Sequence, residues 1–324
     1  MPRTRRPPRW RSLVSRSARH TGVKTYSGGV ALASIERSGF VEGWHHGSVV
    51  VLSASGDMID SAGDVRGPVM PRSANKPFQT TGMLRLGLPT TDPADLALIS
   101  ASHFGEEKHL QRVRALLAKA GLSEGDLRTP PDWRLTYPAG TLKLPIFMNC
   151  SGKHAGMLMT CVVKGWTTDD YYEPTHPLQV ALTATIEEYA GESVAATGID
   201  GCGAPAVAIS LLGLAGGFLR VSGENVADAM RAFPDLVSGT DRDDDLLMRA
   251  VPGLVSKVGA EGIWAAAIPG VGAIAMKIDD GSSRARGPVM LSALRRLGIQ
   301  ADIPGLAAPL LGRGKPVGAV HSLW

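Results

Sequence analysis

The 324-residue chain predicts an α+β fold, an antiparallel sheet carrying helices. Short runs rich in β-branched residues, bounded by turn residues, stand near both ends of the chain. Between them lies a long series of segments with helical periodicity. Neither an internal repeat nor a heptad run interrupts this order, which excludes a solenoid and a coiled coil.

Composition narrows the class further. Apolar residues make up 44% and charged residues 20%, the balance of a soluble globular protein. The formal net charge of +4 belongs to one end: eight basic residues, Arg3 to Lys24, precede the first acid, Glu36. Without them 26 basic residues face 30 acidic ones, so the folded body is slightly acidic and nucleic-acid binding by it is not expected. Residues 1–28 read as a basic, disordered tail without the apolar core of a secretory signal, and residues 29–324 as one catalytic domain. Three cysteines are too few for a disulfide framework and point to a reducing, cytoplasmic setting. The longest apolar run, Gly203 to Leu219, is shorter than the roughly 20 residues of a membrane span and is read as a buried helix.

The elements follow in order. Val30 to Ile35 and Gly47 to Leu52 are strands, the second ending in the turn Ser55-Gly56-Asp57 before Met58-Ile59-Asp60. Helices are expected over Thr80–Leu86, Pro93–Ser102 and Glu106–Ala120, the last with Leu110, Val113, Leu116 and Leu117 on one face and Gly121 as its stop. Residues 129–145, with four prolines, form a long loop. Helices follow at Lys153–Lys164, Pro177–Tyr189, Ala204–Gly216 and Asn225–Phe233. Strands return at Gly262–Ile268 and Val271–Ile278, and a helix covers Pro288–Leu297. Strands at both ends imply a sheet in which the termini pair.

Three stretches carry chemistry. Ser73 and Lys76 are spaced Ser-x-x-Lys, which puts a hydroxyl and an amine on one helical face. Serine needs a base to become a nucleophile, and a lysine with a lowered pKa can serve. Pro77 is tolerated only in the first helical turn, so Ser73 stands at the helix start, where backbone N–H groups can hold an oxyanion. Cys150 and Lys153 repeat that spacing, and Cys202 opens a second Gly-rich cluster. The two cysteines are either small buried residues or thiolates converging on a metal, zinc being favoured. His154 and His103 are the nearest additional ligands or bases. Lys277, in an otherwise apolar strand, either faces solvent or stands beside an active-site hydroxyl.

Five ordered blocks then resemble a known family: Pro71-Arg72-Ser73-Ala74-Asn75-Lys76-Pro77, Ala101-Ser102-His103-Phe104-Gly105-Glu106, Asn149-Cys150-Ser151-Gly152-Lys153-His154, Gly198-Ile199-Asp200-Gly201-Cys202-Gly203 and Lys257-Val258-Gly259-Ala260-Glu261-Gly262. From about Glu36 onward the chain resembles the asparaginase II family of the Rhizobium etli type. The resemblance implies a fold like that of serine β-lactamases and penicillin-binding proteins, a homodimer, and hydrolysis of L-asparagine with little glutaminase activity. By position it implies Ser73 as nucleophile with Lys76, Ser102 with Lys277 as a second Ser–Lys pair, and Cys150, Lys153 and Cys202 around a zinc ion that tunes substrate binding. Arg72, His154 and Asp200 are the expected substrate-binding residues. Another serine amidohydrolase of this fold, or a non-catalytic amino-acid sensor, is the alternative. Met148, Gly203 and Asp241 depart from the family's usual residues, Asp241 standing where a glycine is common.

Overall fold

A computed structural model describes residues 25–135 and 142–324. The basic tail up to residue 24 and the centre of the proline-rich loop, residues 136–141, lie outside the described residues. Tyr26 and Ser27, counted in the expected tail, are tied to the folded body: Tyr26 donates to Asp279 (2.6 Å), and the Ser27 amide and hydroxyl both donate to Asp64 (2.8 Å).

The chain opens with β1 (Val30–Arg37) and β2 (Phe40–Ser53), joined by a two-residue turn in which Ser38 and Gly39 both take positive φ. Next come β3 (Met58–Ala62), the short β4 (Pro68–Val69) and a 3-10 turn over Arg72–Asn75. Helices α1 (Lys76–Arg85), α2 (Pro93–Ile99), α3 (Glu107–Lys119), α4 (Ser151–Lys164) and α5 (Pro177–Ala190) form the helical middle. After β5 (Ala196–Ile199) and β6 (Pro205–Ser210) come α6 (Leu211–Val221), α7 (Asn225–Ala232), α8 (Pro234–Val237) and α9 (Asp243–Ala250). The last part holds β7 (Val255–Val258), β8 (Ile263–Ile268), β9 (Gly272–Ile278), α10 (Arg286–Arg296), β10 (Pro309–Gly312) and β11 (Lys315–Ser322).

The main sheet runs β10-β11-β1-β2-β9-β8-β7, antiparallel throughout, with β3 added to β2. The α+β class with an antiparallel sheet is therefore as expected. The termini pair through β11, which puts Val320 opposite Ile35, a strand the sequence patterning did not single out. A small second sheet, β4-β6-β5, lies apart. The apolar run expected as one helix over Ala204–Gly216 is instead split. Pro205, Val207 and Ile209 suit a strand that pairs with both β4 and β5, and Ser210 then caps α6 by accepting from the Gly213 amide (2.8 Å).

Two apolar cores result, one between the main sheet and helices α6 and α10, the other among α2 to α5. Helix α1 runs between them. Its Phe78 packs in the sheet-side core and its Met83 in the helical one, and every residue from Lys76 to Met83 is buried. The start of α1 is thus held rigidly from both sides. Among the described residues no helix is long and apolar enough to cross a membrane.

Candidate active site

The turn before α1 sets the geometry. Arg72 takes a left-handed conformation (φ 53°), unusual for a side chain with a Cβ, and the 3-10 turn it opens carries Ser73. Strain immediately before a candidate nucleophile is where functional sites tend to store it. Pro77 falls in the first turn of α1, where its missing N–H costs nothing. Lys76 is 1% exposed, and its Nζ donates to Ser102 Oγ (2.9 Å) and to the Ala101 carbonyl. Ser102 is fixed in turn by its amide, which donates to the Val237 carbonyl (2.9 Å). Ser73, Lys76, Lys153 and Asp200 line one narrow crevice. A wider hollow between α2, α3 and residues 233–236 contains no serine or cysteine, so chemistry and not width marks the site.

Lys277 does not join this group. Its Nζ donates to the carbonyls of Glu261 (2.9 Å) and Ile278 (3.4 Å), and Ser102 is served by Lys76 instead. The expected Ser102–Lys277 pair is corrected accordingly: β9 is an inner strand of the sheet, two strands removed from the edge that meets the Ser73 turn. That edge is β7, and it supplies Lys257. Lys257 is completely buried, 3.3 Å from Asp244, and its pKa falls to about 8 through burial and the charge of Lys76 nearby, against the pull of Asp244. Just beyond it Gly259 packs on Pro71. Lys257 stood in plain view within the fifth sequence block; what the sequence lacked was the sheet order that makes β7 the edge.

Behind the crevice, Cys150 and Cys202 are in contact, and Lys153 Nζ donates to Cys202 Sγ (3.4 Å). All three are buried. Cys150 Sγ donates to Asn149 Oδ1 (3.0 Å); the adjacent Cys150 and the Lys153 charge draw the Cys202 thiol down to about 5, while the adjacent Cys202 and burial push Cys150 up to about 12. Two adjacent buried thiols, one with a lowered pKa, and an amine make a donor set that suits a soft, borderline metal such as zinc. Among the described residues no cluster of three His, Cys, Asp or Glu side chains forms a metal site, so the lysine would have to be the third donor.

At the crevice mouth Arg72 donates through Nε (2.9 Å) and Nη2 (2.7 Å) to a single oxygen, Asp200 Oδ1. Its charge and that of Lys153 hold the Asp200 carboxyl below the usual range despite burial.

The family model for L-asparaginase II matches residues 33–321. The chain belongs to the L-asparaginase II family. It is therefore an amidohydrolase whose reaction is the hydrolysis of asparagine. Among solved structures it is similar to a β-lactamase from Mycobacterium bovis, at 14% identity over 78% of this chain and 95% of that one, with a TM-score of 0.36. It is likewise similar to a structure described as that of Mglu, at 17% identity over 78% of this chain and 67% of that one, also with a TM-score of 0.36. A comparison with curated proteins found no match.

For a member of this asparaginase family, two histidines expected near the chemistry have other work. His154 is fully buried, its Nδ1 paired with the Tyr171 hydroxyl (2.7 Å), and it does not line the crevice; the expected substrate contact is corrected. His103 accepts from the Gly105 amide at Nδ1 (3.2 Å), so Nε2 carries the proton and donates to Ser151 (2.9 Å), anchoring α4. Burial holds both rings far below the ordinary histidine range, hence neutral. The loop after α8 is clamped to the Ser102 side of the site by Glu106, which accepts from the Thr240 amide (2.7 Å) and hydroxyl (2.9 Å). Asp241 in that loop has φ 58°, a left-handed conformation that a glycine would adopt without strain.

Proposed function

We propose that this family member hydrolyses L-asparagine by acyl transfer through Ser73. The observation that carries the proposal is that Ser73 and the buried Lys76 line one crevice at the start of α1, with Lys76 bonded in turn to Ser102. Asp200 Oδ1 is occupied by Arg72 and by the Gly201 amide (2.7 Å). Asp200 Oδ2 and Arg72 Nη1 have no hydrogen-bond partner among the described residues, one negative and one positive group side by side. They would take the α-ammonium and α-carboxylate of the substrate and bring its carboxamide carbon to Ser73.

Lys76 is the base that accepts the Ser73 proton as Oγ attacks the carbonyl carbon. Amides at the start of the helix stabilise the tetrahedral oxyanion, a contribution of about 3 kcal/mol per well-placed donor. The C–N bond breaks, the nitrogen takes the proton from Lys76 by way of the Ser102 hydroxyl, and ammonia leaves. Water attacks the aspartyl ester by the reverse proton path and releases L-aspartate and free Ser73.

Cys150, Cys202 and Lys153 would hold a zinc ion; when bound it would supply a fixed positive charge behind the crevice. The adjacent thiols and buried amine support that reading. A cytoplasmic setting is supported by three free thiols, and a homodimer by the large exposed side chains Phe40 and Trp44 on β2. Ammonia release by the wild type and by Ser73→Ala, with trapping of the aspartyl ester at low pH, tests the mechanism. Undiminished turnover by Ser73→Ala would overturn it.

A further inference from the structure

The crevice changes character from mouth to floor. At the mouth Arg72 and Asp200 are charged and partly exposed, at 24% and 17%. Deeper in, Asn75, which ends the 3-10 turn, and Gln79, in the first turns of α1, both line the crevice. Both are 4% exposed, and among the described residues neither carboxamide has a hydrogen-bond partner. Buried carboxamides are ordinarily paired. Thr80 on the same helix, facing away from the crevice, shows the normal state: it donates to the Lys76 carbonyl (3.0 Å) and accepts from Ser100 (2.8 Å). Two neighbouring amides left open toward one cavity call for a ligand that both donates and accepts.

We propose that Gln79, with Asn75 beside it, is the specificity-determining floor of the substrate pocket. Their carboxamide oxygens accept hydrogen bonds from the scissile amide nitrogen, and Gln79 occupies the space a substrate one methylene longer would need. The inference rests on the reading above that Arg72 and Asp200 hold the amino-acid head at the mouth. With the head there and the carbonyl carbon at Ser73, the amide nitrogen of asparagine points to the floor. Glutamine, one methylene longer, drives its amide into Gln79. Acceptors at this position favour an NH2 group over a carboxylate oxygen, so the contact that holds asparagine also repels aspartate.

The test compares Gln79→Asn and Gln79→Met with the parent, reading kcat/KM for L-asparagine and L-glutamine. In parallel, calorimetric binding of both amides and of L-aspartate is measured in a Ser73→Ala background. Gln79→Asn keeps the amide and removes one methylene; it is expected to shift the preference toward glutamine by about tenfold or more. Gln79→Met keeps the volume and loses the acceptor; it is expected to raise KM for asparagine and to narrow the gap between asparagine and aspartate binding. Equal losses on asparagine and glutamine in both variants, with the ratio unchanged, would overturn the proposal and leave Gln79 a packing residue. If Gln79→Met does not fold, Gln79→Asn decides alone. Failure of the head-group reading shows separately, as asparagine affinity unmoved by Asp200→Asn. Failure of the Ser73 assignment leaves the ratio readable from binding.

Discussion

Gly259 lies so close to Pro71 that a Cβ built on it would stand 2.3 Å from the Pro71 carbonyl oxygen. This contact joins the edge strand bearing Lys257 to the turn bearing Ser73. Gly259→Ala must push the two apart, and displacement of a nucleophile by about 1 Å costs on the order of 100-fold in rate. Steady-state ammonia release should fall by that order with KM little changed. An alanine variant with wild-type kcat would mean that the two segments do not need this spacing.

The two candidate lysines make opposite predictions. Lys257→Met is expected to lower turnover strongly, because Lys257 is buried on the edge strand whose Gly259 packs against the turn bearing Ser73. Lys277→Met should leave most of it, since its Nζ contacts only two backbone carbonyls. Ser102→Ala removes the hydroxyl bonded to Lys76 and should lower kcat by roughly 10²- to 10⁴-fold, the usual range for a proton-transfer partner. Parallel kinetics of the three variants check the assignment.

Lys257 also predicts a pH dependence. Its folded pKa of about 8 lies below the ordinary lysine value of 10.5, so between those limits the unfolded chain holds a proton that the folded one has lost. The contribution to stability therefore rises with pH across that window, and the cost of burying the charge is fully present below pH 8. Denaturant unfolding from pH 7 to 10 should show this rise as a difference between the wild type and Lys257→Met. Identical pH slopes in the two proteins would count against the buried ammonium.

Zinc bound at this cysteine pair would have a proton signature. Cys150 sits as a thiol and Lys153 as an ammonium, its pKa raised by the neighbouring thiolate charge despite burial, so both must lose a proton to ligate. Calorimetry in buffers of different ionisation enthalpy should report about two protons released per zinc. Metal at 100 times its dissociation constant should stabilise the fold by about 2.7 kcal/mol, and Cys202→Ala should remove that gain. Zinc uptake unaltered by Cys202→Ala would place the metal elsewhere.

Much of this was legible in local patterning. Glu106–Ala120 was readable as a helix because its apolar residues recur at helical spacing, and the helix found is Glu107–Lys119. Pro77 placed Ser73 just before a helix because proline tolerates only the first turn. The strand in Pro205–Ser210 was not legible: its residues are apolar on every side, so no period distinguishes strand from helix, and pairing with β4 and β5 decides. The histidines misled for a similar reason, since a polar residue beside a reactive cluster can face the site or the core, and only packing tells which.

Residue types and their short-range spacing therefore determined the chemistry available to this protein: Ser-x-x-Lys, Cys-x-x-Lys, and the ordered blocks of an asparaginase. Tertiary structure decided which strand lysine stands near the Ser73 turn. Lys257 and Lys277 are both strand lysines in apolar surroundings, twenty positions apart, and nothing local separates them. Sheet order does, because the edge strand β7 meets the Ser73 turn whereas β9 is enclosed by β2 and β8. Side-chain proton affinities follow from that placement, since burial and neighbouring charge, which set them, exist only once the chain has folded.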